Sequence, residues 1–255
     1  MKFIPSLALL GVLLLAAAPG AMAQEQITLV APGGARAAIE GLIPGFEAKT
    51  GIKVKATYGS GLGTKKQVAQ GDVFDIQVVQ PPFPAVLASG NVVVKSQTPL
   101  ASVAVGVVVK KGAAKPDIST AAAVKKMLLA ATSVTYPDPS GGAAAGVSFD
   151  KTLAQLGIAK EVQTKIKRAQ GGAGAMKLVA DGQVEIGLTF LSEMQEPGID
   201  VLGPLPAEIS VPTRLVGFVS SHTKDAKAAT ALLKYLSSPE AAKVYRANGM
   251  HPDHG

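Results

Sequence analysis

From Gln26 onward, short runs of β-branched and apolar residues alternate with segments that have the hydrophobic spacing of helices. The run ITLVA precedes the helical pattern ARAAIEGLIPGFEAKTG, and IKVKATYG precedes LGTKKQVAQGD. Alternation of strand, helix and strand predicts a mainly parallel sheet covered by helices. We therefore expect an α/β fold, with Pro44 kinking or interrupting the first helix.

A second block of the same kind follows the β-rich stretch at residues 102–120. It contains the helical patterns AAAVKKMLLAA, GVSFDKTLAQLGI and AGAMKLVADGQ, and a closing helical stretch is expected to break near Pro239. The pattern predicts two lobes, one formed by residues 24–102 with 214–255 and the other by residues 103–213. Strands near residues 101–110 and 213–219 are the candidate connections, and the cleft between the lobes is the expected ligand site.

Residues 1–23 have the features of a secretory signal peptide. Lys2 precedes the apolar run Phe3 to Ala18, and Ala21-Met22-Ala23 forms a small-residue cleavage site before Gln24. A membrane anchor is the alternative, but an apolar run of about 16 residues is short for a membrane span. The sequence contains no cysteine, which excludes a disulfide, a thiolate metal site and a lipidated cysteine. We expect an unanchored monomer in the periplasm.

The composition favours a small anionic ligand. The chain has a net charge of +7, but its lysines are scattered and it has no Trp, so the stacking platforms of a nucleic-acid binder are missing. The sequence has no phosphate-binding GxxxxGK[ST] loop, no strict dinucleotide fingerprint and no metal-ligand spacing. We expect no cofactor, no metal and no nucleic acid.

Four predicted corners between a strand and a helix are rich in glycine. Glycine lets backbone N–H groups approach a ligand, and the helix that follows directs the positive end of its dipole there. Two corners fall in each predicted lobe, so they could converge on one anion in the cleft. The corners are Gly33-Gly34-Ala35, Gly59-Ser60-Gly61-Leu62-Gly63, Ser140-Gly141-Gly142-Ala143-Ala144-Ala145-Gly146 and Gly171-Gly172-Ala173-Gly174-Ala175.

Several segments along nearly the whole chain resemble the periplasmic molybdate-binding proteins of ABC importers. They include ITLVAPGGARAAIEGLIPGFEAKTGIKVKATYGSG, KLVADGQVEIGLTFLSEM and ALLKYLSSPEAAKVYRANG. The resemblance implies the two-lobed type II fold of periplasmic binding proteins, also called a Venus flytrap, with two crossings between the lobes. It also implies a partner permease in the inner membrane.

The chain departs from this family at its ligand contacts. Gly34 stands where the family has a serine, Gly61 interrupts the family's serine run after Ser60, and Phe190 replaces a tyrosine. Arg36 and Lys65 lie near the same corners, and a guanidinium fork suits a carboxylate. The alternative is that these basic side chains are solvated surface. We expect a di- or tricarboxylate ligand, bound by Gly33, Gly34, Arg36, Ser60, Gly61, Lys65, Ser140, Gly141, Gly142, Gly171, Gly172 and Phe190. Serines introduced at Gly34 and Gly61 are expected to be tolerated.

Three functions stay open on the sequence. The first is a binding protein that delivers the anion to a permease. The second is an isomerase, since proteins that resemble molybdate binders include one that interconverts cis- and trans-aconitate; Tyr58, Lys65 and Ser60 are the candidate catalytic residues. The third is a sensor that uses the same cleft. Glu193 is expected to point away from an anionic ligand, and all three histidines lie outside the four corners.

Overall fold

The computed structural model describes residues 26–254, so the predicted signal peptide and Gln24 lie outside the described residues. Strands and helices alternate as the hydrophobic pattern predicts. The strands are β1 (Gln26–Pro32), β2 (Lys53–Gly59), β3 (Ile76–Val79), β4 (Thr98–Val103), β5 (Val105–Lys110), β6 (Val134–Pro137), β7 (Ile166–Ala169), β8 (Ile186–Phe190), β9 (Ile199–Pro204), β10 (Thr213–Val219) and β11 (Met250–Pro252).

The strands form two mixed sheets, one in each lobe. The first has the order β11-β4-β10-β3-β1-β2, with β1 parallel to β2 and β3. The second has the order β7-β6-β8-β5-β9, with β6 parallel to β7 and β8. The chain passes between the sheets twice, once from β4 to β5 and once from β9 to β10. The predicted α/β fold with two crossings is confirmed, whereas the lobe limits at residues 102/103 and 213/214 stay a prediction.

Helices cover both sheets and bury the faces that the sequence pattern marks as apolar. In the first helix, Ile39, Leu42 and Phe46 are buried at helical spacing. No helix among residues 26–254 is long and apolar enough to cross a membrane. The helices are α1 (Arg36–Thr50), α2 (Gly61–Gln70), α3 (Pro84–Ala88), α4 (Ala121–Ala130), α5 (Ala144–Leu156), α6 (Ala159–Val162), α7 (Gly171–Ala180), α8 (Ala226–Leu236) and α9 (Pro239–Ala247).

Two prolines test the predicted helix boundaries. The break near Pro239 is confirmed, because α8 ends at Leu236 and Pro239 opens α9 behind a Ser238 cap. The interruption expected at Pro44 is wrong, since α1 continues through this residue to Thr50. Pro44 lies on the exposed side of α1, where the buried residues before and after it hold the helix against the sheet.

Candidate functional site

The four glycine-rich corners lie around one cavity of about 520 Å³, here called the first cavity. Each corner leads from a strand of a parallel pair into a helix: β1 into α1, β2 into α2, β6 into α5 and β7 into α7. Carboxyl ends of parallel strands are the usual position of ligands in α/β folds. The predicted site residues that line the first cavity are Gly33, Gly34, Arg36, Ser60, Gly61, Ser140, Gly141, Gly171, Gly172 and Phe190.

Lys65 and Gly142 lie elsewhere. They line a neighbouring cavity of about 470 Å³, here called the second cavity, on the other side of Gly61 and Gln80. Lys65 Nζ donates a hydrogen bond to the carbonyl of Pro82 at 3.0 Å, which holds its amine on that side. Of the candidate catalytic residues, Tyr58 and Ser60 therefore share the first cavity and Lys65 does not.

A third cavity, of about 700 Å³, lies away from the glycine corners. It is formed mainly by residues 115–119 and 201–212. Its one lysine, Lys115, is paired with Asp200 at 3.2 Å, and His251 is its one histidine. This cavity therefore lacks both the helix N-termini and the unpaired cation that favour an anion at the first cavity.

Arg36 is the cation of the first cavity. Its side chain is exposed at the start of α1, and its guanidinium carbon lies 4.6 Å from the centre of the Tyr58 ring. No carboxylate among the described residues lies within ion-pair distance of Arg36. The stacking orients the guanidinium and leaves its hydrogen-bond donors available to a ligand.

Side chains in or just before two of the corners cap backbone amides. The Ser60 hydroxyl accepts a hydrogen bond from Gly63 N at 3.0 Å, so its oxygen caps α2 and its proton remains available to a ligand. Asp138 Oδ1 accepts a hydrogen bond from Ser140 N at 2.9 Å, which together with the Ser140 side chain lowers the pKa of Asp138. The amide predicted to meet an anion at Ser140 is thus already bound by a carboxylate that the sequence analysis missed.

Glu193 lines the first cavity, so the expectation that it points away is wrong. Its carboxyl group lies against the start of α7, where a Cβ on Gly172 would be 2.5 Å from Oε2. The Thr189 hydroxyl donates a hydrogen bond to Oε2 at 2.5 Å. Burial raises the pKa of Glu193, although the hydrogen bonds from Thr189 and the Phe190 backbone act in the opposite direction. This shift favours the neutral carboxyl group, which repels an anion less than a carboxylate does.

Gln80 is a second residue that the sequence analysis missed. It follows β3 directly, is only 3% exposed, and lines both cavities. Neither its Oε1 nor its Nε2 has a hydrogen-bond partner in the structure. The sequence offers a signal for it, because Gln80 is the polar residue directly after the predicted strand FDIQVV, and strand ends are where ligands bind in α/β folds.

At Gly34 and Gly61, where serines were expected to be tolerated, an added Cβ would meet side chains of other segments. A Cβ on Gly34 would lie 2.8 Å from Phe190 Cδ2. A Cβ on Gly61 would overlap Gln80 Oε1 and lie 3.0 Å from Ala144 Cβ. A side chain at Gly34 therefore requires the Phe190 ring to move, and one at Gly61 requires the end of Gln80 to move.

The Tyr58 hydroxyl is buried and has no hydrogen-bond partner in the structure. Burial raises the pKa of this hydroxyl, with Glu40 adding to the shift. Tyr58 therefore keeps its proton, and its ring lies beside Arg36. No cluster of metal-ligating side chains occurs within the described part of the chain.

Comparison with known proteins places this chain in a family. Residues 27–251 match the family model described as bacterial extracellular solute-binding protein. An aconitate isomerase of Pseudomonas sp is 33% identical over 260 residues, which covers 98% of this chain and 97% of the relative. Molybdate-binding protein ModA of Azotobacter vinelandii is 30% identical over 211 residues, 80% of this chain and 81% of that protein.

The fold agrees with these sequence relationships. The solved structure of the Azotobacter vinelandii periplasmic molybdate-binding protein superposes with a TM-score of 0.73 at 20% identity, covering 88% of this chain and 98% of the other. The match over residues 27–251 spans both lobes and all four corners. The chain therefore belongs to the bacterial extracellular solute-binding proteins and resembles their molybdate-binding members.

Proposed function

We propose that this protein is a periplasmic binding protein that closes on a small di- or tricarboxylate and delivers it to an ABC permease. The observation that carries the proposal is the single cavity at which the four corners meet the unpaired guanidinium of Arg36. Each helix N-terminus stabilises an anion by about 0.3–1 kcal/mol when exposed and up to ~2 when partly buried. Lobe closure would exclude water and strengthen these contacts.

The side chains around the first cavity favour a carboxylate over molybdate. Gly34, Gly61 and Phe190 supply no hydroxyl donors to a tetrahedral dianion, whereas Arg36 supplies a planar fork that matches a carboxylate. The raised pKa of Glu193 adds a carboxyl group that can donate a hydrogen bond to a ligand carboxylate while it is protonated.

A thermal-shift panel tests this proposal. Molybdate, tungstate and sulfate are compared with citrate, tricarballylate, and cis- and trans-aconitate. A ligand present at a hundred times its Kd adds about 2.7 kcal/mol, which for this size raises Tm by about 5–10 °C. We expect the polycarboxylates to raise Tm. A shift with molybdate and tungstate alone would reject the carboxylate ligand.

An aconitate-type isomerase is the second candidate, because Glu193 and Tyr58 share the first cavity and an aconitate isomerase is 33% identical over nearly the whole chain. Such a reaction moves one proton along an allylic system and requires an acid–base group within reach of the substrate. Ionised Glu193 would take a proton from the methylene carbon. The same carboxyl group, whose proton exchanges with solvent, would return a proton to the former vinylic carbon at the other end of the allylic system, so the double bond moves by one position. The Tyr58 hydroxyl would donate a hydrogen bond to the substrate carboxylate that gains charge.

Proton NMR of cis-aconitate in D₂O separates the two functions. An isomerase replaces methylene hydrogen with deuterium and produces trans-aconitate, and Glu193→Gln abolishes both changes while the substrate still binds. A binding protein shifts the aconitate signals without exchange. Exchange that persists unchanged in Glu193→Gln would remove Glu193 from the mechanism.

A further inference from the structure

The second cavity lies beside the first and shares Gly61, Gln80 and Ala144 with it. Both lobes form it, because Lys65 comes from α2 and Lys151 from α5. No Asp or Glu is among its lining residues, whereas Asp138 and Glu193 line the first cavity. The positive charge of the interlobe cleft is therefore concentrated around the second cavity.

The two lysines of this cavity are not neutralised. Among residues 26–254, no carboxylate lies within ion-pair distance of either amine. Lys65 is partly buried, and the carbonyl of Pro82 is its hydrogen-bond acceptor. Burial lowers the pKa of Lys65, and the charge of Lys151 lowers it further. An anion between the two amines would relieve this repulsion.

Two buried polar side chains of the second cavity also lack partners. Gln80 is 3% exposed and Ser210 is 5% exposed. The Gln80 amide and the Ser210 hydroxyl have no hydrogen-bond partner in the structure. Leaving a buried polar group without a partner destabilises the protein, so both groups gain from a ligand that carries oxygen atoms.

We propose that the second cavity is an anion subsite, in which Lys65 and Lys151 hold one carboxylate of a ligand whose other carboxylates occupy the first cavity. This inference rests on the proposed polycarboxylate ligand. It explains why Lys65 lies on the far side of Gln80 from Arg36, since a ligand with several carboxylates spans both cavities. Because the lysines come from different lobes, the bound carboxylate would also hold the cleft closed.

Calorimetric titration of two ligands that differ by one carboxylate tests the subsite. Tricarballylate and glutarate have the same three-carbon spacing, but tricarballylate carries the additional carboxylate. We expect wild-type protein to bind tricarballylate more tightly than glutarate. Lys65→Gln should weaken tricarballylate affinity about tenfold, and Lys151→Gln, at an exposed position, should weaken it about threefold. Glutarate affinity should change less than twofold in both variants, by the same arithmetic. Lys66→Gln, beside Lys65 but outside the cavity lining, is the matched control.

The outcomes separate the subsite from the proposed function. The subsite would be overturned if wild-type protein bound both ligands with equal affinity, or if the lysine variants lost affinity for both ligands equally. Either result would leave the proposed polycarboxylate ligand in place. If neither ligand binds, the proposed polycarboxylate ligand is rejected. NMR of the lysine ε-methylene groups during an acetate titration then tests the subsite by itself. Shifts at Lys65 and Lys151 but not Lys66 would support a subsite for a free carboxylate, and their absence would overturn it.

Discussion

The guanidinium carbon of Arg36 lies 4.6 Å from the centre of the Tyr58 ring, so the cation of the first cavity is stacked on an aromatic side chain of the same lobe. This contact holds the guanidinium fork in one orientation and leaves its donors free for a carboxylate.

Replacement of Arg36 by alanine should weaken carboxylate binding by about 1.5–3 kcal/mol, because a charge-assisted hydrogen bond to the ligand is lost. Arg36→Lys is the matched control, since it keeps the charge and loses the bidentate geometry. Isothermal titration calorimetry should give an intermediate affinity for Arg36→Lys. Unchanged affinity in Arg36→Ala would show that the guanidinium does not contact the ligand.

Gly34→Ser should destabilise the protein by about 1–3 kcal/mol, because the new Cβ would overlap the Phe190 ring. Gly141→Ala is the control, as a Cβ at Gly141 meets nothing within 4 Å. Urea unfolding of Gly34→Ser, Phe190→Ala and the double variant forms a cycle that isolates the clash. Additive effects in this cycle would contradict a direct contact.

Glu193 should make stability depend on pH. Its pKa is raised on folding, so its stabilising contribution is complete below the unfolded Glu pKa of about 4.3 and is lost as pH rises through the folded value. Glu193→Gln mimics the protonated group at every pH. The stability of Glu193→Gln relative to wild type should therefore increase from about pH 4 toward neutrality. This interval begins near the pKa of Glu in the unfolded chain.

Thermal unfolding across this pH range measures the difference between Glu193→Gln and wild type. Glu161→Gln, at an exposed position, is the matched control. A constant difference between Glu193→Gln and wild type at all pH values would contradict the raised pKa.

Gln80→Met should raise the free energy of unfolding by about 1 kcal/mol, because it removes two buried polar atoms that have no partners. The same change should weaken ligand binding if the amide contacts the ligand. Gln77→Met is the control for binding, since Gln77 is buried on β3, the strand that Gln80 follows, and lines neither cavity. Chemical unfolding measures the stability, and calorimetry measures the affinity. A Gln80→Met protein that is less stable than wild type and binds with full affinity would contradict both expectations.

The elements and the glycine corners were predictable from the sequence because their causes are local. Hydrophobic spacing predicts α1 from Ile39, Leu42 and Phe46, and Ser238 with Pro239 predicts the start of α9. Glycine beside a strand end likewise predicts a corner, and the corners do line one cavity.

The tertiary structure determined which side chains from distant segments lie beside the corners. Gly34 lies against Phe190, and its carbonyl oxygen accepts a hydrogen bond from the Ser192 hydroxyl at 2.7 Å. Both partners come from the other lobe, and Ser192 is 158 positions away along the chain. Glu193 lines the first cavity because Gly172 leaves room for its carboxyl group and Thr189 donates a hydrogen bond to it. Such contacts depend on how distant segments pack in three dimensions, and hydrophobic periodicity along the chain carries no information about them. The sequence by itself therefore determined the α/β lobes and their corners, while the packing of the lobes decided which side chains line the first and second cavities.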